Sequence, residues 1–246
     1  MILNKYTVEY LKCPYCGFVQ TETPYWLEEA YKSPINYTDT GIMIRNQRFS
    51  RVVTSLLIMI FNKRVKCLDY AGGYGLFTRI MRDIGFDFYW DDPYTENLTA
   101  KGFEKVEGTK YDVVTTFESF EHFENPLMEA QKIRQYSDTI IFSTQLVPNP
   151  MPKPTDWWYY GLEHGQHVAL YSKKSFEVMA NKLRLKYYNI DNLHLFTNRR
   201  IGILVTLLKF KYSKHLLYIA SYLITPFLRS KTMQDMYALR NTGEHA

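Results

Sequence analysis

The sequence predicts an α/β fold, with a mostly parallel sheet and helices on both of its faces. Short apolar runs that fit buried strands alternate with segments of helical spacing through the middle of the chain. A glycine-rich turn joins the first of these strands to the helix that follows it. The chain has 246 residues, of which 46 % are hydrophobic and 22 % charged, so disordered and collagen-like classes are excluded and one sizeable domain is expected.

The predicted elements follow in order along the chain. Residues 1–50 are irregular and interrupted by prolines, and the apolar segment 51–62 predicts a buried helix. Residues 145–171 interrupt the alternation with prolines and aromatic residues. Strands are predicted in 65–70, 86–90, 111–118 and 138–146, helices in 76–84, 126–136 and 172–183, a closing strand pair in 185–196 and 199–210, and an amphipathic terminal helix in 213–240 with Pro226 as a kink or a break.

Charge is distributed unevenly along the chain. The net charge is +5, but residues 1–180 carry 19 Lys and Arg against 22 Asp and Glu, whereas residues 181–246 carry 11 against 3. This basic C-terminal part predicts either an anionic partner, such as nucleic acid, a membrane surface or a phosphorylated substrate, or a solvated helical face.

The cellular compartment is predicted from cysteine usage and hydropathy. Only 3 cysteines are present, which argues against a disulfide scaffold and favours a reducing compartment. No uninterrupted apolar segment reaches the roughly 18 residues of a membrane-spanning helix, and the first residues lack the apolar core of a signal peptide. We therefore expect a cytoplasmic, soluble protein.

The glycine-rich turn is the first candidate binding site. In the segment 67–75 (CLDYAGGYG) a strand leads into small residues and then a helix. Small residues let a ligand approach the backbone, because a Cβ would clash, and the helix N-terminus can meet a polar or anionic group. Asp91 and Asp92 end the next strand, where a carboxylate can accept from both hydroxyls of an adenosine ribose.

Three segments together resemble the class I S-adenosylmethionine-dependent methyltransferases. Leu68–Gly75 resembles their first motif, Asp-x-Gly-x-Gly-x-Gly, with Ala71 in place of the first glycine. Asp92 resembles their ribose-binding acid, and residues 111–126 resemble their strand-4 motif. The resemblance covers roughly residues 64–185 and implies a Rossmann-like fold with a seven-stranded sheet whose last strand is antiparallel.

The same resemblance implies the cofactor, S-adenosylmethionine, and the residues that hold it. Asp69 would orient the turn or meet the methionine amino group, and the turn backbone would face the methionine end of the cofactor. Asp92 would hold the ribose, and Phe117 and Glu118 would lie beside the cofactor at the tip of strand 4. The cofactor-binding residues implied in this way are Asp69, Ala71, Gly72, Gly73, Gly75, Asp92, Phe117 and Glu118.

Candidate catalytic residues lie in the insertion after the fifth strand. Glu163, His164 and His167 place three titratable groups within a short loop that follows two tryptophans. Such loops face the ligand crevice, and a hydroxyl or carbon acceptor needs a base. We predict His164 as the base, tuned by Glu163, with His167 second; alternatively these histidines are structural. The aromatic residues predicted to form an acceptor wall are Trp157, Trp158 and Tyr160.

Cys13 and Cys16 form a Cys-x-x-Cys pair near the start of the chain. The pair resembles one zinc knuckle of the sugar C-methyltransferases, and Glu163-His164 also resembles a feature of that family. Tetrahedral zinc needs four ligands, and no second such pair exists. The pair is therefore a decayed zinc module, a site completed by a second chain or by histidine, or a chance spacing, and we predict no bound metal.

The sequence thus predicts a methyltransferase in three parts: a cap at 1–50 with the Cys-x-x-Cys pair, a cofactor domain at 51–210 and a basic helical tail at 211–246. The predicted acceptor is a small molecule, first a sugar or nucleotide-sugar of surface polysaccharide synthesis. The alternatives are an RNA or protein methyltransferase that docks through the tail, and a non-catalytic cofactor-binding module. Nucleic acid is not expected as a partner, whereas the tail is a candidate for peripheral membrane contact.

Overall fold

The computed structural model describes residues 1–32, 39–202, 204–208 and 210–241. A six-stranded mixed sheet has the strand order β4-β3-β5-β6-β9-β8, and a three-stranded sheet has the order β1-β2-β7. The strands are β1 (Tyr10–Lys12), β2 (Val19–Thr21), β3 (Lys66–Tyr70), β4 (Asp87–Asp91), β5 (Val113–Phe117), β6 (Thr139–Ser143), β7 (Ala169–Leu170), β8 (Lys186–Ile190) and β9 (Leu193–Thr197). The helices are α1 (Leu27–Ala30), α2 (Ile42–Ile60), α3 (Leu76–Ile84), α4 (Pro126–Tyr136), α5 (Lys173–Lys182), α6 (Leu204–Leu208), α7 (Ser213–Ile224) and α8 (Thr232–Asn241).

The α/β fold is confirmed, but the count of seven strands is not. The described part of the six-stranded sheet has parallel pairing of β3 with β4 and β5, and antiparallel pairing of β9 with β6 and β8. Beyond β4 there is an isolated parallel bridge between Trp90 and Glu104 instead of a strand. The backbone of Trp90 donates to the Phe103 carbonyl and accepts from the Lys105 N–H, so pairing there extends over a single residue.

The chain divides into two compact units, which we describe separately. One unit comprises residues 1–38 and 116–198. Its three-stranded sheet is antiparallel throughout and pairs β2 with β7, about 150 residues later, although the sequence predicts only irregular structure in both segments. This unit has two buried hydrophobic clusters, one around Trp26 and one around Tyr159 and Tyr160.

The second unit comprises residues 39–115 and 199–246. Helix α2 begins at Ile42, nine residues before the predicted start, because its first two turns are largely exposed and lack the apolar run that marks its buried part. Helix α3 ends as predicted at Gly85, which has a φ of 125°. The predicted boundaries of the cap and tail, at residues 50 and 210, remain predictions.

The predicted closing strand pair is wrong in its second member. Strands β8 and β9 both lie within 186–197 and form a hairpin, which turns at Asp191 with a φ of 62°. Residues 204–208 are helical instead. A short apolar run such as ILVTLL fits a buried strand or a buried helix equally well, and the Asp-Asn pair at 191–192 was the turn signal to follow.

The described part of the C-terminal tail, residues 211–241, contains two helices, so the prediction of a break at Pro226 is confirmed. Helix α7 is followed by a 3-10 turn at Thr225–Phe227 that contains Pro226, and then by α8. Asp235 of α8 pairs with Arg82 of α3 through contacts of 2.7 Å to both carboxylate oxygens, and both side chains are 4 % exposed. Among the described residues, no helix is both long and apolar enough to cross a membrane.

Candidate functional site

The turn between β3 and α3 has an unusual backbone. Ala71, Gly73 and Gly75 have positive φ angles of 55°, 54° and 83°. A positive φ costs a residue with a Cβ roughly 1–2 kcal/mol, so Ala71 holds a strained conformation at the position where the family motif has glycine. The residues from Ala71 to Tyr74 are partly exposed, so their backbone can be reached from solvent.

Asp92 fixes this turn to the loop that follows β4. One of its carboxylate oxygens accepts from the Gly73 N–H at 2.9 Å, and the other accepts from the N–H groups of Tyr94 at 2.8 Å and Thr95 at 3.1 Å. Burial raises the pKa of this carboxyl group, while these three backbone donors lower it. Each carboxylate oxygen has two acceptor positions, so the oxygen on Gly73 can still meet a ligand hydroxyl. The ribose contact of Asp92 remains a prediction.

Trp90 is a second support of the turn, and sequence reasoning missed it. Its indole Nε1 donates to the Gly73 carbonyl at 2.8 Å. A Cβ at Gly72 would lie 2.8 Å from the same indole ring and 2.9 Å from a carboxylate oxygen of Asp69. The packing of the turn therefore requires glycine at position 72. The sequence alone does not show this requirement, because it comes from the positions of the Trp90 and Asp69 side chains.

Asp69 lies beneath the turn and is buried. Its carboxylate accepts from the hydroxyls of Thr115 at 2.8 Å and Thr78 at 3.2 Å. Burial raises its pKa to about 7, against the opposing effect of these hydrogen bonds. Of the two predicted roles, these contacts favour orientation of the turn.

The raised pKa of Asp69 makes stability depend on pH. In the unfolded chain the group titrates near 3.8, so folding favours its protonated form, and this contribution is lost as the pH rises through about 7. Relative to Asp69→Asn, the wild-type free energy of unfolding should fall by about 1.4 kcal/mol per pH unit between roughly pH 4 and 7. Urea denaturation across this range tests the slope, with Asp156→Asn at an exposed position as control. Equal slopes for wild type and Asp69→Asn would contradict the assignment.

Phe117 and Glu118 lie at the end of β5, as the resemblance implies. Glu118 has a positive φ of 49°, which is uncommon for a residue with a long side chain. Its N–H donates to the Ser143 hydroxyl at 2.9 Å, and that hydroxyl donates back to the Glu118 carboxylate at 2.5 Å. Ser143 thus holds Glu118 in its strained conformation. Contact of either residue with a cofactor remains a prediction.

The predicted catalytic residues have different environments. His167 is buried, His164 is partly exposed and Glu163 is exposed. The rings of His164 and His167 are close, with centroids 4.8 Å apart. Burial and the neighbouring His167 lower the pKa of His164 to about 4, so the opposing influence of Glu163 is outweighed. Nδ1 of His164 accepts from the Gln166 N–H at 3.1 Å, which occupies that lone pair.

Two further residues join these histidines, and sequence reasoning did not place them there. Glu121 and His122, from the strand-4 motif, each offer a ligand atom close to one from His167. The Tyr159 hydroxyl donates to Glu121 at 2.6 Å, and the Tyr31 hydroxyl lies 2.9 Å from Nδ1 of His122. His122 is therefore part of a polar cluster.

The predicted acceptor wall is only partly open. Tyr160 is fully buried and packs with Val19 and Leu170, which corrects the expectation that its ring faces an acceptor. Its position results from the β2-β7 pairing, which the sequence does not reveal. Trp158 is 73 % exposed and Trp157 is partly exposed, so both can still contact a ligand.

Cys13 and Cys16 lie in the turn between β1 and β2. Both thiols are free and partly exposed, and backbone N–H groups of Cys16 and Tyr15 lower the pKa of Cys13. Within the described ranges, neither cysteine has two further metal-ligating side chains near it. Cys67 is buried.

The family comparison covers most of the residues described in this subsection. The model of the family described as "Methyltransferase domain" matches residues 44–188, more than half of the chain. No curated protein matches the sequence significantly.

Two proteins whose solved structures resemble this one are named as methyltransferases. Plantazolicin methyltransferase in complex with a monoazolic desmethylPZN analog and SAH is 15 % identical, with a TM-score of 0.51 and coverage of 71 % of this chain and 93 % of that chain. The complex of plantazolicin methyltransferase with SAH is 14 % identical, with a TM-score of 0.50 and coverage of 70 % of this chain and 93 % of that chain. Magnesium protoporphyrin IX methyltransferase from Synechocystis PCC 6803 with bound SAH is 12 % identical, with a TM-score of 0.46 and coverage of 69 % of this chain and 90 % of that chain. At such identities the likeness shows the fold. The chain therefore belongs to the methyltransferase-domain family and has the fold of S-adenosylmethionine-dependent methyltransferases.

Proposed function

We propose that this protein transfers the methyl group of S-adenosylmethionine to a small-molecule acceptor, and that the turn after β3 holds the cofactor. The observation that carries the proposal is the backbone of Ala71–Gly75, with three positive φ angles at the carboxyl end of a central strand. Ligands of open α/β sheets bind at this end of the strands, where small residues allow close approach. The family match supports the same reaction.

The residues present fit this cofactor. The turn is partly exposed, its two central glycines have no side chain to block a ligand, and Asp92 lies at its side with a carboxylate. We assign the methionine end of the cofactor to the turn backbone, the ribose to Asp92, and the region beside the sulfur to Phe117 and Glu118. Asp69 acts as a positioning residue through the Thr78 and Thr115 hydroxyls.

The cofactor, when bound, supplies an electrophilic methyl group that a nucleophile attacks in line with the departing sulfur. The chain must then hold the acceptor and, for a hydroxyl or carbon acceptor, take up a proton. We assign the proton to His164, which packs on His167 and has Glu163 at its exposed side. Burial lowers the pKa of both histidines, so both rings are neutral at pH 7, and His164 takes up the proton at Nδ1 in exchange for its hydrogen bond from the Gln166 N–H.

The proposal names the acceptor only as a small molecule, which is a broader class than the sugar predicted from the sequence. The structural neighbours include methyltransferases whose names refer to plantazolicin and to magnesium protoporphyrin IX. A sugar or nucleotide-sugar remains the finer prediction, based on the aromatic insertion, and Trp157 and Trp158 are the side chains available to stack on a sugar ring.

Cofactor binding is the first test of this function. S-adenosylmethionine and its demethylated product, at about 100 times Kd, should stabilise the protein by about 2.7 kcal/mol, a rise in Tm of roughly 5–10 °C. Asp92→Ala should reduce this rise sharply, because the carboxylate both fixes Gly73 and meets the ribose. Asp156→Ala is the matched control at an exposed site, and NAD is the control ligand. A protein whose Tm responds to neither cofactor form is not this enzyme.

Transfer itself is tested with methyl-labelled cofactor and panels of hydroxyl, amine and sugar acceptors. Label should pass to a small-molecule fraction and disappear with His164→Ala. If label passes instead to RNA or protein, the cofactor assignment stands and the acceptor class is wrong. If cofactor binds but His164→Ala and Glu163→Ala leave turnover unchanged, the assignment of these two residues is wrong.

A further inference from the structure

We propose that Glu121, His122 and His167 bind a divalent transition-metal ion of the zinc class. Each residue offers one ligand atom, and these atoms lie within 4.8 Å of one another. Among the described residues this is the one group of three or more potential ligands that comes together in this way. The site goes beyond the proposed methyl transfer, and it replaces the sequence-based expectation that no metal is bound.

The orientation of His167 suits a metal ligand. Its Nδ1 lies 2.7 Å from the backbone carbonyl of Tyr159, and a carbonyl can only accept, so Nδ1 carries the hydrogen. The lone pair of the neutral ring is then on Nε2. Metal-ligating histidines in proteins are typically held in this way, with the second nitrogen donating to a carbonyl or carboxylate.

His122 stands at right angles to His167, with ring centroids 5.0 Å apart and an interplanar angle of 87°. The Tyr31 hydroxyl, 2.9 Å from Nδ1, can accept the Nδ1 hydrogen and so leave Nε2 for a metal. In the metal-free ring the Gln166 carbonyl accepts the one imidazole hydrogen, and metal coordination would shift that hydrogen to the Nδ1 contact with Tyr31.

Glu121 supplies the negative charge and is fully buried. It accepts from the Tyr159 hydroxyl at 2.6 Å, and that hydroxyl in turn is 2.9 Å from the Thr144 hydroxyl. A carboxylate has two oxygens, so Glu121 can keep this hydrogen bond and still ligate a metal. Buried carboxylates are normally paired or metal-bound, and a cation beside two neutral imidazoles would balance this charge.

The ligand set indicates the kind of ion. Two imidazoles and one carboxylate, with a further position open, are the ligands of catalytic zinc sites, and oxygen-only ions such as Mg²⁺ do not prefer them. Two atoms bound at about 2.1 Å to one tetrahedral zinc ion are about 3.4 Å apart, so a pair at the 4.8 Å limit closes by about 1.4 Å on binding. Side-chain rotations shared between the two residues would make that change.

Metal titration of the full chain, purified without a histidine tag and treated with chelator, tests the site. Co²⁺ is the spectroscopic probe, with competition by Zn²⁺ and total metal measured by elemental analysis. We expect about one equivalent per chain, with affinity lowered at least 100-fold by Glu121→Gln and by His122→Asn. The matched controls are Glu124→Gln and His215→Asn, at exposed positions, and both should bind as wild type does.

The Cys13–Cys16 pair is the competing site, and the double variant Cys13→Ser Cys16→Ser separates the two. The proposal requires that this variant keeps the Co²⁺ spectrum and its affinity. No metal binding by wild type, loss of binding in the cysteine variant, or equal affinities in the site variants and controls would each overturn it. Circular dichroism checks that each variant folds. If either Glu121→Gln or His122→Asn fails to fold, the other variant alone tests the proposal.

A different observation carries a second proposal, which concerns α7. This helix buries Ser213, Leu217 and Ser221 against its own unit and exposes several large apolar side chains. The exposed fractions are 60 % for Ile219 and 72 % for Leu223, and 81 % for Phe227 in the 3-10 turn that follows. Soluble surfaces rarely keep such a stripe uncovered.

We infer that this apolar stripe of α7 and Phe227 rests on an anionic membrane surface. Lys211 precedes the helix and Arg229 follows the 3-10 turn, and both are exposed. Cations that flank an apolar helix face favour negatively charged headgroups, while the apolar side chains enter the boundary of the acyl chains. The tail therefore places cationic residues, which attract anionic headgroups, next to apolar side chains, which can enter the acyl-chain boundary.

Flotation with phosphatidylcholine vesicles, with and without phosphatidylglycerol, tests this surface. We expect binding that needs the anionic lipid and is lost in Leu223→Ser Phe227→Ser, while Leu11→Ser, at another exposed apolar position, binds normally. Absence of vesicle binding, or equal binding by both variants, overturns the inference. A wild-type dimer that the double variant converts to monomer would assign the stripe to self-association and overturn it as well.

Discussion

Asp235→Ala is expected to lower the free energy of unfolding by about 3–5 kcal/mol, the largest stability effect we predict. Asp235 meets Arg82 through two contacts of 2.7 Å and Arg79 through one of 2.9 Å. Without this carboxylate the buried Arg82 guanidinium keeps its charge and loses its main partner. Urea denaturation measures the loss, and hydrogen exchange should show α8 opening first, because Asp235 joins it to α3.

A double variant distinguishes this ion pair from ordinary packing. Arg82→Met Asp235→Leu removes both charges and should recover most of the stability, because burying two charges costs free energy that their attraction only offsets. If the double variant is as unstable as Asp235→Ala, the loss comes from shape and not from the unpaired charge. Glu96→Ala, in an exposed ion pair with Lys101, is the surface control and should change stability by less than about 1 kcal/mol.

Gly75→Ala is expected to weaken cofactor binding by about 100-fold. The residue has a φ of 83°, and a Cβ would lie 2.8 Å from the Asn97 amide oxygen and 3.1 Å from the Ala100 Cβ. Overpacking of this kind costs about 1–3 kcal/mol in addition to the strain of the positive φ, and the turn has to shift to relieve it. Calorimetric titration with the demethylated cofactor measures the affinity.

Gly108→Ala provides a matched control for this prediction. Gly108 has a similar φ of 72°, but a Cβ there would meet no atom within 4 Å. Both variants carry the same backbone strain, so the difference between them isolates the packing of the turn. If the two variants bind the cofactor equally well, the turn is not the binding element that we propose.

The elements that the sequence predicts correctly are those set by local pattern. Helix α4 begins at Pro126 and ends at Tyr136, at the predicted residues, because proline favours the first turn and the apolar spacing is regular. The glycine-rich turn is likewise recognisable, since its positive φ angles require small residues.

The features that were missed depend on contacts between distant segments. Strand β7 has only two residues and exists because β2 pairs with it, so no local periodicity marks it. The cluster around His167 needs residues from the strand-4 motif and the aromatic insertion, and its ring orientation is set by a backbone carbonyl that sequence reasoning cannot place. The sequence therefore indicated which residues belong to candidate sites, but not which other residues they contact.

The single bridge beyond β4 has a consequence for aggregation. An edge strand normally presents a row of free backbone groups to which another chain can add a strand. Here the Trp90 N–H and carbonyl are used by residues 103 and 105, and the Phe88 carbonyl accepts from Arg82 at 2.8 Å. A foreign strand would have to displace both the bridge and the guanidinium. The margin of the sheet is thereby protected against intermolecular strand addition, at the cost of a regular seventh strand.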